Sequence, residues 1–143
     1  MRGKKQFWIW LMTLLVISCG RNKQEVQAVD ASSLPADFEV FYEKFHKDTA
    51  YQVAHILFPL EGQQAKNDDG STLDPHFKWQ KKGWLMHKPY DDMGGTFSRS
   101  FLSFNDIVTE DIADGTGQFT MTRRFTKMDG EWYLIYYKEM GRK

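Results

Sequence analysis

Four histidines, one cysteine and an arginine set in an apolar row are the side chains of this chain with the most chemical potential. His46, His55, His76 and His87 are scattered along the sequence. They form no His-x-x-x-His pair, and no Cys-x-x-Cys is present, so neither a metal nor another cofactor is expected. His55 stands next to the apolar residues 56–60 and reads as a hydrogen-bonded core histidine, with a role as a base as the sharper alternative. Asn67-Asp68-Asp69-Gly70 and Asp74 offer oxygen donors but lack the alternate spacing and terminal glutamate of a calcium loop. Asp91 and Asp92 are adjacent, so their carboxylates point apart, and a polar turn is the plain reading. No Gly-x-Ser-x-Gly elbow, phosphate loop or dinucleotide fingerprint occurs.

Arg123 is the better candidate. Residues 118–127 alternate in polarity, and residues 132–139 are β-branched and aromatic. Met128-Asp129-Gly130-Glu131 lies between them, and Asp-Gly between two such runs signals a hairpin. A two-residue type I′ turn sets Met128 against Glu131, Lys127 against Trp132, Phe125 against Leu134, Arg123 against Tyr136 and Met121 against Lys138. One face then carries Phe119, Met121, Arg123 and Phe125 beside Trp132, Leu134 and Tyr136. A three-residue turn would bring Tyr133, Ile135 and Tyr137 to that face instead. The two-residue turn is preferred because it is the commoner connection.

In either register Arg123 sits among apolar neighbours and needs a partner, water, or a path for its head to solvent. The functional alternative makes it the cation of a concave pocket for an anionic or polar ligand. Trp79, Trp84 and Tyr136, with Phe101, could wall such a pocket, since ligand sites combine apolar walls with a few polar groups. The plainer reading makes these rings core. Arg123, Tyr136, Trp79 and Trp84 are therefore the candidate ligand-binding residues.

Cys19 is the only cysteine. Before it come a basic start (Arg2, Lys4, Lys5) and an apolar segment from Phe7 to Ile17, too short to cross a bilayer. These are the parts of a secretory signal. Val16-Ile17-Ser18-Cys19 resembles the lipobox of bacterial lipoproteins, with Val16 where leucine is usual. The resemblance implies that the Cys19 thiol takes a diacylglycerol and becomes the new N-terminus. Acylation also accounts for an unpaired thiol in an exported chain, and two or more acyl chains anchor far better than one. Gly20 follows Cys19, and residues 20–24 lack an acidic cluster. By resemblance to lipoprotein sorting rules, this favours the outer membrane, facing the periplasm.

Residues 1–18 then form a signal peptide, residues 19–33 a polar tether, and residues 34–143 a single domain. A flexible tether of this length reaches about 20 Å. Removing residues 1–18 takes away Arg2, Lys4 and Lys5 and no acid, which leaves 16 basic and 19 acidic residues and a formal charge of −3. With no basic excess, nucleic acid is not an expected partner. The expected partners are the membrane, through the lipid, and a small molecule, glycan or envelope protein.

Within the domain, Phe38, Phe41, Tyr42 and Phe45 fall on one face of a helix. Ser32, Ser33 and Pro35 mark its start, and Asp48 caps a second short helix. Residues 56–60 read as a short buried strand ending at Pro59, and residues 61–74 as a loop. Residues 77–87 read as strand or mixed structure, 89–95 as a turn region, and 97–104 as a strand. Residues 107–112 form an element of open type.

Helices followed by an antiparallel sheet indicate an α+β domain with N-terminal helices packed on a curved antiparallel sheet. This order, with Asp129-Gly130-Glu131-Trp132 in the last hairpin, resembles the nuclear transport factor 2-like fold, also called cystatin-like. Phe38-x-x-Phe41-x-x-x-Phe45-x-x-Asp48-x-x-Tyr51-Gln52-x-x-His55-Ile56-x-Phe58-Pro59-Leu60 resembles a family of Bacteroidetes lipoproteins of unknown function with that fold. The resemblance implies a fold and a location and brings no catalytic residues. The leading expectation is a binding module in the cell envelope. The alternative is a small hydrolase or isomerase with His55 or an aspartate as base and Arg123 as electrostatic stabiliser.

Radiolabelled fatty acid should enter the wild-type chain and not Cys19→Ala. Equal labelling of the two would refute the lipobox.

Overall fold

The computed structural model describes residues 34–66 and 73–143. Cys19, the signal peptide and the tether lie outside the described residues, as do Ser32, Ser33 and Asn67-Asp68-Asp69-Gly70 of the expected polar loop.

The first helix, α1, spans Ala36–Lys47, with Pro35 at its N-cap. The Pro35 carbonyl accepts from the Phe38 and Glu39 amides. Asp37 and Glu39 lie in its first turn and Lys44 and Lys47 in its last, which suits the helix dipole. Its buried face carries Phe38, Phe41 and Phe45. The second helix, α2, spans Thr49–Ala54, and Asp48 Oδ1 accepts from the Tyr51 amide at 3.0 Å, the expected cap.

Six strands follow: β1 Ile56–Gln63, β2 Lys78–Trp79, β3 Phe97–Phe104, β4 Ile107–Asp114, β5 Phe119–Met128 and β6 Glu131–Arg142. They form one sheet in the order β2-β1-β6-β5-β4-β3. The α+β class holds, but the sheet is mixed rather than antiparallel, because β1 lies parallel to β6. The first strand to leave the helices thus pairs with the last strand of the chain. Strand β1 also runs past Pro59 to Gln63. Proline lacks the amide that a ladder uses, and the β1 register on β6 shifts between Ile56 and Glu61, then resumes. The open element at residues 107–112 is a strand. Of residues 77–87 only Lys78–Trp79 is strand.

The last hairpin turns where expected. Asp129 and Gly130 have φ of 51° and 85°, both positive as a type I′ turn requires. Met128 faces Glu131, Lys127 faces Trp132 and Phe125 faces Leu134. Beyond that point the expected register fails. Arg124 pairs with Tyr136, Arg123 with Tyr137 and Thr122 with Lys138, so Ile135 is an extra residue in β6. This bulge reverses which side chains point inward beyond it. Arg123 consequently shares its face with Tyr137 and not with Tyr136.

The core lies between α1 and the inner face of the sheet, built on Phe38, Phe41, Phe45, Leu60, Val108, Phe125 and Leu134. The Phe38 ring meets Phe125 at 5.4 Å and Trp132 at 5.0 Å, both edge-on. Trp132 Nε1 donates to Asp37 Oδ2 at 3.1 Å, and Lys127 Nζ lies 2.6 Å from the same oxygen. The start of α1 is thereby tied to both arms of the hairpin.

Gly62 allows a close approach of Trp79 and the Tyr137 backbone. Trp79 Nε1 donates across it to the Tyr137 carbonyl at 2.9 Å. A Cβ on Gly62 would collide with that carbonyl and lie 2.5 Å from Trp79 Nε1. Gly62→Ala should destabilise the domain by about 2 kcal/mol and red-shift tryptophan emission as Trp79 is displaced. A urea midpoint equal to wild type would contradict this packing.

Candidate functional site

Strand β5 alternates, and its pleat sends Met121, Arg123 and Phe125 inward. Opposite Arg123 in the β4 register stands Glu110, flanked by the inward Val108 and Ile112. Glu110 has no exposure and Arg123 only 5%. Arg123 Nη1 lies 3.3 Å from Glu110 Oε2. The sequence reading missed Glu110, although its place in the apolar row Val108-x-Glu110-x-Ile112 was a readable signal.

Helix α1 supplies the other two members of this cluster, one turn apart. Tyr42 Oη donates to Glu110 Oε1 at 2.5 Å. His46 Nδ1 donates to the Tyr42 carbonyl at 2.8 Å, which leaves Nε2 as an acceptor facing Arg123 Nη1. Burial, and then the Arg123 charge, pull the His46 pKa down to about 4. Burial, and then the Glu110 carboxylate, push the Tyr42 phenol above its ordinary value. At neutral pH both rings are therefore uncharged.

The remainder of the Arg123 guanidinium is less occupied. Nη2 has Met121 Sδ at 3.8 Å, and Nε has no partner among the described residues.

Facing this arginine is the segment between β2 and β3, held by the side chain of Gln52 from α2. Gln52 is fully buried, and its amide is fully used. Nε2 donates to the Phe45 and His87 carbonyls at 2.7 and 2.9 Å. Oε1 accepts from Trp84 Nε1 at 3.2 Å and from the His87 amide at 2.9 Å. A stretch with little regular structure is thus fixed at both Trp84 and His87. The His87 ring lies 4.7 Å from Trp84 and 4.4 Å from Tyr137. Its Nδ1 is buried without a partner among the described residues. Burial, and then Arg123, hold its pKa well below the usual histidine range.

Between the segment and the sheet lies a cavity of about 320 Å³, walled by Trp79, Trp84, His87, Lys88, Arg123 and Tyr137 among others. Three of the four residues singled out from sequence, Arg123, Trp79 and Trp84, meet here. Tyr136 does not. The bulge at Ile135 turns it to the opposite face, where the Arg124 guanidinium lies over its ring at 5.4 Å, and Tyr137 lines the cavity in its place. A larger recess of about 370 Å³ at the ends of β1 and β6 has no aromatic wall and is lined mainly by polar and charged side chains. We place the site at the aromatic cavity, where the buried charge is.

The other candidates lie elsewhere. His55 stacks on Tyr51 at 3.8 Å and donates from Nδ1 to the Tyr51 carbonyl at 2.8 Å, away from Arg123. Phe101 packs edge-on against Phe38, with the Arg99 guanidinium over its ring. Asp91 and Asp92 accept from the Met93 and Gly94 amides within a turn. No group of three or more histidines, cysteines or acids among the described residues is placed to hold a metal. No helix among them is long and apolar enough to cross a membrane.

No family model and no curated protein matches the sequence. Solved structures are similar to it. A protein from Bacteroides uniformis matches 73% of this chain and 77% of its own length, with 22% identity and a TM-score of 0.53. That likeness shows a shared fold. An NTF2-like protein from Bacteroides fragilis matches 71% of the chain, with 17% identity and a TM-score of 0.49, and this chain spans 46% of that protein's length. An NTF2-like protein of unknown function from Silicibacter pomeroyi matches 73% of this chain and 93% of its own, with 12% identity and a TM-score of 0.42.

The His46 pKa of about 4, against 6.5 for an unperturbed histidine, sets a pH dependence. Between those values the unfolded chain binds a proton that the folded one excludes. The stability tied to this group is therefore complete above about pH 6.5 and lost as pH falls towards about 4, a change of about 3 kcal/mol. His87 acts in the same direction. Urea midpoints should fall across this window, and His46→Gln should flatten part of the fall. An unchanged slope would remove His46 from the account.

Proposed function

We propose that this chain is an NTF2-like binding module, anchored to the cell envelope through a lipid on Cys19, whose cavity takes a small ligand. The observation that carries the binding role is the cavity itself. It has aromatic walls, a volume of about 320 Å³, and a buried arginine at its edge whose Nε has no partner among the described residues. Apolar walls with a few convergent polar groups are the ordinary make-up of a small-molecule site, and this volume is at the small end of their range. The anchor rests on the lipobox-like Val16-Ile17-Ser18-Cys19 and the basic, apolar segment before it. A lipid on that thiol would hold the cavity within a tether's reach of the membrane surface.

The hydrolase or isomerase alternative is less favoured. Its proposed base, His55 or an aspartate, would have to work beside Arg123. The groups closest to Arg123 are instead engaged in internal contacts: His46 Nε2 with the arginine and Glu110 Oε1 with Tyr42.

The test is thermal melting of the full-length protein against a panel of monosaccharides, muropeptides and aromatic acids. A ligand at 100 times its Kd should add about 2.7 kcal/mol of stability, seen as a rise of several degrees. The same ligand should quench tryptophan emission. Trp84→Phe, which removes the bond to Gln52 and shrinks the wall, should weaken it by about tenfold. If no member of the panel moves the transition, the binding reading has no support.

A further inference from the structure

Arginine carries five N–H donors in one plane. In Arg123, Nη1 meets His46 Nε2 and lies at ion-pair distance, 3.3 Å, from Glu110 Oε2, an oxygen that has no hydrogen-bond partner among the described residues. The single donor on Nε has no partner among the described residues, and Nη2 meets only the Met121 sulfur at 3.8 Å. Three donors of a buried cation thus face no oxygen. Native structures leave few such groups, and each one needs an explanation. Nε and Nη2 lie along one edge of the guanidinium, a pair whose spacing matches the two oxygens of a carboxylate.

Three further observations narrow the ligand. Lys88 also lines the cavity and adds a second cation, while Glu139, the acid at its wall, has Oε2 bound to the Ala65 amide at 3.0 Å. His46 and His87 are held neutral, so neither competes for an anion. The walls are rings: Trp79 meets Tyr137 at 5.2 Å and Trp84 at 6.1 Å. A cavity of about 320 Å³ has room for one ring and its substituents rather than a chain of them.

Resting on the binding role proposed above, we infer that the cavity recognises a carboxylate borne on a single ring. The carboxylate meets the Nε and Nη2 edge of Arg123, and the flat face of the ring meets Trp84 and Tyr137. Nε is out of contact with solvent and Nη2 meets the Met121 sulfur at 3.8 Å, so a carboxylate on this edge displaces that sulfur from Nη2. A thioether side chain is flexible and its hold on Nη2 is weak. The Nη1 side of the guanidinium stays in its structural role with Glu110. Two classes of compound share this chemistry, hexuronic acids and aromatic acids.

The experiment titrates full-length protein, by tryptophan fluorescence and calorimetry, with two matched sets. One is glucuronate and galacturonate against glucose and galactose. The other is benzoate and phenylacetate against benzyl alcohol. In the set that binds, the acid should bind at least tenfold more tightly than its neutral counterpart, and the set identifies the source. A double variant, Arg123→Met with Glu110→Gln, removes both charges together so that neither is left buried alone. It should melt as a folded protein and bind acid and neutral ring alike. Equal affinity of acid and neutral ring in wild type overturns the inference while leaving the binding role intact. Preference for the acid retained in the double variant also overturns it, since recognition would then lie with Lys88. Failure of both sets, with another panel member raising the melting point, overturns the carboxylate alone. Failure of every compound overturns the binding role with it.

Discussion

Glu110 and Arg123 face each other across β4 and β5 out of reach of solvent, and two charges so placed cost free energy unless their remaining valences are met. Much of the architecture follows from meeting two of them, Glu110 Oε1 and Arg123 Nη1. Tyr42 must lie over Glu110 to give its phenolic proton, and His46 must present an unprotonated Nε2 to Arg123. Both demands fall on α1, so the helix cannot slide along the sheet or rotate on it without breaking one contact or the other. The aromatic rings of Phe38, Phe41 and Phe45 supply the apolar burial that holds α1 down. Apolar burial is tolerant of small shifts. The polar cluster is what selects a single seating.

That seating fixes the second wall. Gln52 reaches from α2 to the Phe45 carbonyl in α1 and also binds Trp84 and His87. The segment from β2 to β3 has little backbone pairing of its own near these residues, so one amide side chain substitutes for a strand. Its four hydrogen bonds meet every donor and acceptor it owns. The cavity therefore exists between two structures of different kinds. One side is a sheet with a continuous ladder, and the other is a loop hung from a buried glutamine.

The sequence was legible where a local rule decides the outcome. The spacing of Phe38, Phe41, Tyr42 and Phe45 specified the face of α1. Asp129 and Gly130 specified a turn with two positive φ values, and with it the first pairs of the hairpin. Arg123 stood out because a charge in an apolar row needs an explanation. The limits were just as physical. Neither flanking residue announces that Ile135 is an extra residue in β6, because Leu134, Ile135, Tyr136 and Tyr137 are all good strand formers. That single residue decides which tyrosine reaches the cavity. The parallel pairing of β1 with β6 is a contact between distant parts of the chain, which no local pattern encodes. Glu110 is hidden for a simpler reason: residues 107–112 are too short a run to declare strand or helix, and without a strand no alternation turns the carboxylate inward.

The arginine at the centre of the structure is divided between two tasks, and the division explains why the site tolerates a buried cation at all. With every donor engaged by Glu110 and His46, Arg123 would be a purely structural residue, and a well-packed apolar pair could replace it at little cost. With no donor so engaged, the charge would be buried alone and the strand would not hold it. Here Nη1 secures the charge against β4 and α1, while Nε has no partner among the described residues and Nη2 meets only the Met121 sulfur. The neutral states of His46 and Tyr42 matter to this balance. A protonated imidazole would repel the guanidinium that its lone pair now accepts from, and an ionised phenol would repel Glu110. The same burial that depresses the histidine and raises the tyrosine keeps both rings neutral beside the Glu110–Arg123 pair, and so keeps Arg123 seated at the cavity wall.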